Sequence, residues 1–272
     1  HENLSLHMDT GLCFSPLSAA ISQSPGDPTA VQFWMSGLRD DLDLDDRQAT
    51  LLYRTRLSVD LLEGSVDISN FEVIDIPSPA GQPDFVPLFV KSVCEPPGCL
   101  ALQEAVTDVS KGRVALITPS PMGEDPTVQL LGIDDSAESL CGAGEAPGAF
   151  LDLASDAPTG DLYAPVNNSP EIWRIPSNGS SAERVWPATA GEVDCSHGIV
   201  NLEMSPSRNT QLDPLRLYAV YLAPPKIVVL QRVLGTWTEL ASRLIDGIPF
   251  SSTTGQFEDE SGMVHDRVYV MT

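Results

Sequence analysis

The side chains of this 272-residue chain whose types could do chemistry are five cysteines, four histidines and a dense run of aspartates. Cys94 and Cys99 bracket a tight Cys-Glu-Pro-Pro-Gly-Cys loop. To hold zinc they would need two further ligands from Cys141, Cys195 and His197, and none of these forms the second paired knuckle that structural zinc sites use. Cys195-Ser196-His197 puts a thiol and an imidazole close in sequence. Near neighbours on an extended chain point in offset directions, however, and nucleophile–base pairs meet through the fold. That tripeptide therefore reads as a buried structural cysteine beside a surface histidine. The segment Arg39–Asp46, RDDLDLDD, carries five aspartates and invites a calcium reading. An EF-hand loop opened at Asp41 would place Asp43 and Asp45 correctly, yet Asp46 falls where the sharp-turn glycine belongs and Leu52 where the bidentate glutamate belongs. The run reads as a solvated acidic turn, and neither a metal nor a cofactor is expected.

Enzyme signatures are missing from the sequence. It has no G-x-S-x-G elbow, Walker loop, H-E-x-x-H or G-x-G-x-x-G, and two of its four histidines stand at His1 and His7. Catalytic residues are accordingly not assigned and the chain reads as a non-enzyme. A carboxylate pair for glycoside hydrolysis stays open, because 38 acids offer many combinations and their separation is a property of the fold.

Composition narrows the class. The formal charge of −23, with only three lysines, repels a phosphate backbone and argues against nucleic-acid binding. A hydrophobic fraction of 42% with 19% charged residues describes a folded chain with a real core. No apolar run is long enough to span a bilayer as a helix, so membrane insertion is not expected, and no signal peptide is visible. An odd number of scattered cysteines leaves at least one thiol unpaired in a monomer. That suits synthesis in a reducing compartment, with a Cys94–Cys99 bridge left open.

The elements that would position any site are short. Twenty-three prolines and twenty glycines interrupt almost every apolar run, which favours strands joined by turns. The expected fold is mainly β: an antiparallel β-barrel or sandwich with long loops and one short helix. Strands are expected at Ala30–Met35, Ala49–Val59 with one wet face, Phe71–Ile76, Phe85–Val93, Gly112–Thr118, Thr127–Ile133, Gly198–Met204 and Val264–Met271. Pro87 marks its strand as an edge or a bulge. The most apolar stretch, Leu215–Gly247, reads as two strands broken at Pro224-Pro225, then a helix from Thr236. The helix rests on the Thr236/Glu239 capping-box spacing and on Trp237, Leu240, Ala241 and Leu244 at helical intervals before Gly247. Between Asp134 and Ser181 the pattern weakens into loops. Loops on a rigid β-scaffold carry binding surfaces, and Trp173, Arg174, Arg184 and Trp186 are the residues there with hot-spot chemistry. The alternative is that both tryptophans close the outer edge of the core.

In its length, composition and run of short strands over nearly the whole chain, together with WTELASRLIDG (237–247) and DRVYVMT (266–272), the sequence resembles the protruding domain of a non-enveloped virus capsid, most of all an astrovirus capsid spike. The resemblance implies a single attachment domain over residues 1–272, excised from a longer capsid precursor, made in the host cytoplasm and displayed on the virion surface. It implies a homodimer that engages a host cell-surface receptor, protein or glycan, and presents neutralising epitopes to antibodies. The alternative from another class is a secreted carbohydrate-binding module or a β-fold glycoside hydrolase.

Overall fold

A computed structural model describes residues 14–25, 27, 29–39, 50–60, 65–68, 71–94, 102–109, 111–133, 137–141, 147–187, 195, 198–205 and 215–272. Among these residues every regular element is a β-strand and every measured pairing is antiparallel. The mainly β, antiparallel expectation therefore holds. The chain divides into two compact units, residues 1–95 with 99–130 and residues 96–98 with 131–272.

The first unit holds two sheets. One runs β1 (Phe14–Gln23), β2 (Ala30–Arg39), β3 (Thr50–Asp60) and β4 (Ser65–Ile68), with β5 (Glu72–Ile74) also paired to β3. The other is a meander of β6 (Pro87–Cys94), β7 (Leu102–Asp108), β8 (Arg113–Thr118) and β9 (Thr127–Gly132). Trp34 and Leu52 from the first sheet meet Val90, Val106, Ala115 and Ile117 from the second in one core, closed by Ile74, Ile76 and Phe85. Burying each large apolar side chain contributes about 1.5–3 kcal/mol, so this shared face is what holds two small sheets together. Pro87 begins an edge strand that is irregular between Pro87 and Val90, as a proline lacking its ladder donor requires.

The second unit holds three sheets in chain order. The first is β10 (Ala154–Asp156), β11 (Asp161–Pro165), β12 (Ile172–Ile175) and β13 (Glu183–Trp186); the second is β14 (Ile199–Met204), β15 (Arg216–Tyr221), β16 (Lys226–Val233) and β17 (Thr236–Leu244). The third has only β18 (Ser251–Glu258) and β19 (Val264–Met271). β10 and β11 pack on β14, and β14 on β18, so equivalent strands of successive sheets meet. Tyr163 and Trp237 stand edge to face at 5.6 Å in a core with Ile172, Ile199, Leu202, Leu217 and Leu230. Successive four-stranded meanders are the sheet unit of β-propellers. Nothing in the sequence announced this, because the sheets share an architecture and no repeated motif.

Three expectations are corrected. The helix from Thr236 is strand β17. Leu234 and Gly235 both have positive φ (51° and 87°), the conformation of a two-residue type I′ hairpin turn, and Thr236 pairs directly with Val233. The turn thus commits the chain to pairing before a helical turn can form. Ala241 opposes Val229 and Glu239 opposes Leu230, which leaves Leu240 as a bulge residue. That extra residue produced the helix-like spacing of Trp237, Leu240, Ala241 and Leu244, of which only Trp237 is buried. Second, the stretch read as loops, Asp134–Ser181, holds β10–β12, whose strands of three to five residues are too short to show alternation. Third, β3 has no wet face in its first half: Leu52, Tyr53, Arg54 and Thr55 are all buried.

Arg54 can be buried because every side of its guanidinium is met. Its Nε and Nη2 donate to Glu72 Oε2 at 3.1 and 2.5 Å, Nη1 donates to the Ser120 carbonyl at 3.0 Å, and Nη2 to the Glu124 carbonyl at 3.0 Å. Trp34 lies beneath it at 5.5 Å. Removing the carboxylate from such a pair costs about 3–5 kcal/mol, because a buried charge is left uncompensated.

Glu104 on β7 is fully buried and, among the described residues, has no cation beside it. Burial raises its pKa to about 7, against hydrogen bonds from Ser22 and Ser92. The hydrogen inventory agrees. Ser92 Oγ lies 3.0 Å from the Ile21 carbonyl and 2.9 Å from Glu104 Oε2, and its single hydrogen serves both contacts only if Glu104 supplies a proton of its own. The acid is thus held neutral below about pH 7. A raised carboxyl pKa stabilises the fold fully below the unfolded value near 4.5 and loses that contribution as pH rises to about 7. Glu104→Gln, which stays neutral, is expected to gain roughly 3 kcal/mol on wild type between pH 4 and pH 8, read from urea unfolding at each pH. An unchanged difference across that range would show that Glu104 is ionised in the fold.

Candidate functional site

The four residues with hot-spot chemistry lie together on the β12–β13 hairpin, with Trp173 opposite Arg184, Arg174 opposite Glu183 and Ile172 opposite Trp186. The structure brings them together as parts of the sheet and not on loops. Trp173 is 5% exposed, and its Nε1–H has no acceptor. Arg174 donates to Glu183 Oε1 at 2.7 Å and through Nε to Asp161 Oδ2 at 2.8 Å, which together hold its guanidinium even more firmly protonated than usual. Arg184 Nη1 reaches Glu171 Oε1 at 3.4 Å, and Glu171, fully buried, also accepts from Ser139 Oγ and Ser169 Oγ at 2.5 and 2.8 Å. Trp186 is half-buried and packs against the core of its unit. The two tryptophans thus cover core, as the alternative reading had it.

The cysteines also sit differently from expectation. Cys141 and Cys195 form a disulfide, and Cys195 is an exposed turn residue. Cys94 is disulfide-bonded as well. Cys94, Cys141 and Cys195, three of the zinc ligands considered above, are therefore consumed, and among the described residues no group of three or more His, Cys, Asp or Glu side chains could hold a metal ion. Asp40–Asp46, Cys99 and His197 lie outside the described residues.

The outer face of β18–β19 departs from an ordinary solvated sheet, and the sequence did not single it out as a site. Strict pairing puts Ser251 beside Met271, Thr253 beside Tyr269, Gly255 beside Arg267 and Phe257 beside His265. The opposite face is fixed to the neighbouring sheet: Thr254 Oγ1 donates to the Met204 carbonyl at 3.2 Å, and Asp266 accepts from Ser205 and Tyr218. All eight outer positions are consequently turned away from the core. Met271 is 66% and Tyr269 54% exposed, with Phe250 at 72% beside them. The face is ordered by its own contacts. The Arg267 guanidinium stacks 3.6 Å from the Phe257 ring centre, and Phe257 stacks on His265 at 5.2 Å. His265 Nε2 meets Asp259 Oδ2 at 2.7 Å. The Ser261 hydroxyl, His265 and the Met263 amide together hold the Asp259 carboxyl well below the usual range.

Among the described residues, no nucleophile–base pair lies on this face. Exposed aromatic and thioether groups in one patch, rimmed by hydroxyls and a guanidinium, mark an interaction surface. The signal in the sequence was the alternation of β19, where His265, Arg267, Tyr269 and Met271 share one face while Val268 and Val270 take the other. Its partner β18, Ser-Ser-Thr-Thr-Gly-Gln-Phe-Glu, has too little apolar content to be read as a strand. In the first unit, a hollow of about 210 Å³ lined by Leu52, Ile74, Ile76 and Phe85, with Asp75 and Asp84 beside it, is smaller than ligand pockets usually are.

No protein-family model matches the chain, and no curated protein sequence does. Solved structures resemble it in part. A proposed 6-phosphogluconolactonase of Bacteroides uniformis ATCC 8492 aligns at 15% identity and a TM-score of 0.47, over 91% of this chain and 62% of that one. A second protein so described, from Bacteroides fragilis NCTC 9343, aligns at 10% and 0.44 over 92% and 82%, and the seed albumin LS24 of Lathyrus sativus at 11% and 0.31 over 85% and 92%. The chain thus spans less than two thirds of the Bacteroides uniformis protein. Fold and site together define a class, all-β chains of antiparallel meanders with an exposed aromatic face. They do not define a family.

The Cys141–Cys195 bridge closes a loop of 54 residues that contains all of β10–β13. Cross-linking a loop of that length stabilises by about 2–4 kcal/mol. Replacing both cysteines with serine is expected to lower unfolding free energy by that amount in denaturant titrations without reductant, and wild type with reductant should fall to or below the variant. A variant as stable as oxidised wild type would contradict the bridge.

Proposed function

We propose that the chain is a recognition module that attaches to another molecule through the outer face of β18–β19. The observation that carries this reading is the row of exposed Tyr269, Met271 and Arg267, with half-buried Phe257 beneath the guanidinium, on a sheet whose other face is fixed. An apolar and aromatic patch of this kind costs solubility when left in water, and a partner that covers it recovers that free energy. The capsid-spike resemblance supplies one setting, a virion-surface attachment domain that contacts a host receptor, pairs with itself and meets neutralising antibodies. The disulfides favour a second setting, a secreted glycan-binding module, because such bonds persist in oxidising compartments. Both settings use the same face.

Attachment is tested by binding of fluorescently labelled protein to panels of cultured cells and to insoluble polysaccharides. Tyr269→Ser with Met271→Ser is expected to reduce binding about tenfold or more, as loss of central aromatic contacts does at other interfaces, with thermal stability within about 1 kcal/mol of wild type because both side chains are solvent-facing. Undiminished binding by the double variant would overturn the assignment of this face.

A further inference from the structure

The outer face of β18–β19 offers its ligand two kinds of chemistry side by side. Arg267 is exposed and rests on the Phe257 ring, and no ion pair holds it among the described residues. The contrast with Arg54, Arg113, Arg174 and Arg184 is sharp, since each of these is paired with a carboxylate. Two acids of the same hairpin are already engaged. Asp266, its neighbour in sequence, points to the inner face and accepts from Ser205 and Tyr218, while Asp259 is taken by Ser261, Met263 and His265. Stacking on Phe257 occupies one face of the guanidinium and fixes its plane. Its N–H edges stay open to a carboxylate in the two-bond geometry for which guanidinium is suited.

Beside it the Tyr269 ring lies across Gly255. A β-carbon built there would stand 3.5 Å from the ring's Cε2, so the ring rests almost on the backbone. That low placement makes a flat platform for the apolar face of a sugar ring, and Thr253 and Ser251 supply hydroxyls on the same side. We propose that this face binds a carboxylated pyranose at the terminus of a glycan, with Arg267 taking the carboxylate and Tyr269 carrying the ring. The inference rests on the recognition reading above and deepens it by naming the ligand. The net charge of −23 favours a single terminal acid over a polyanionic chain, because repulsion grows with every added charge while one carboxylate on Arg267 is screened from the rest over about 8 Å at physiological salt.

The test is an NMR titration of the full chain with the methyl glycosides of glucuronic acid and N-acetylneuraminic acid, with methyl glucoside, sodium acetate and heparin as controls. At least one acidic glycoside should shift the Gly255, Arg267 and Tyr269 amides at millimolar concentration or below, with methyl glucoside and acetate each at least tenfold weaker and heparin not preferred. Arg267→Gln and, separately, Tyr269→Ala should each weaken the acidic glycoside at least tenfold without lowering the melting temperature. Equal binding of methyl glucoside, equal binding of acetate, preference for heparin, or an unaffected Arg267→Gln would each overturn the acidic-sugar assignment. If no sugar shifts these amides while the Tyr269→Ser, Met271→Ser protein still loses cell attachment, the inference falls and the recognition reading stands on a protein partner.

Discussion

Buried guanidinium groups and the carboxylates that neutralise them set the terms on which this chain folds. With 38 acids against 15 bases, unbalanced negative charge is abundant, and each arginine taken into the interior fixes acids and carbonyls that would otherwise repel. Arg54 gathers Glu72, Ser120 and Glu124, and so ties β3, β5 and the loop between β8 and β9 to one point. Arg113 does the same within that unit, donating to buried Asp108 and to the carbonyls of Pro83 and Asp84. In the second unit the half-buried Arg174 and Arg184 hold Asp161, Glu183 and Glu171. These pairs are specific in geometry, whereas apolar burial alone would tolerate several packings.

Around those points the architecture repeats a simple unit. In the second unit two four-stranded meanders bury faces on one another, and the short turns, such as Leu234-Gly235, leave little choice of register. The last sheet differs in having two strands among the described residues. A two-stranded sheet is marginal alone, and here it is held through one face by Asp266, Thr254 and their partners on the preceding sheet. Its other face is left with aromatic and thioether groups toward solvent. The proposed recognition surface and the contacts that hold the hairpin thus lie on its two opposite sides.

Much of the all-β character was legible in the sequence, because prolines and glycines punctuate it and long apolar strands such as β8, β15 and β16 alternate or stay continuously apolar. What was illegible has physical causes. The bulge at Leu240 shifted an extended strand into an apparent helical period. Strands β10–β13 are too short for any period to register. The wet face expected for Ala49–Val59 is dry at Arg54 because the partners that neutralise it, Glu72, Ser120 and Glu124, are 18 to 70 residues away. The tryptophans at 173 and 186 were correctly associated with each other, but their surroundings are a packed sheet edge. The β18–β19 face depends on cross-strand neighbours, Gly255 under Tyr269 and Phe257 under Arg267, which no local pattern reveals.

The central claim is that this face is the one covered on attachment. Hydroxyl-radical footprinting reads it directly, since methionine and tyrosine are oxidised where solvent reaches them. Oxidation of the free protein should be strong at Met271 and Tyr269, and attachment to cells or glycan-bearing beads should protect both while Leu244 on β17 stays reactive. Protection at Trp186 and its neighbours, with Met271 and Tyr269 as reactive as before, would contradict the account and move the recognition surface to the β12–β13 hairpin.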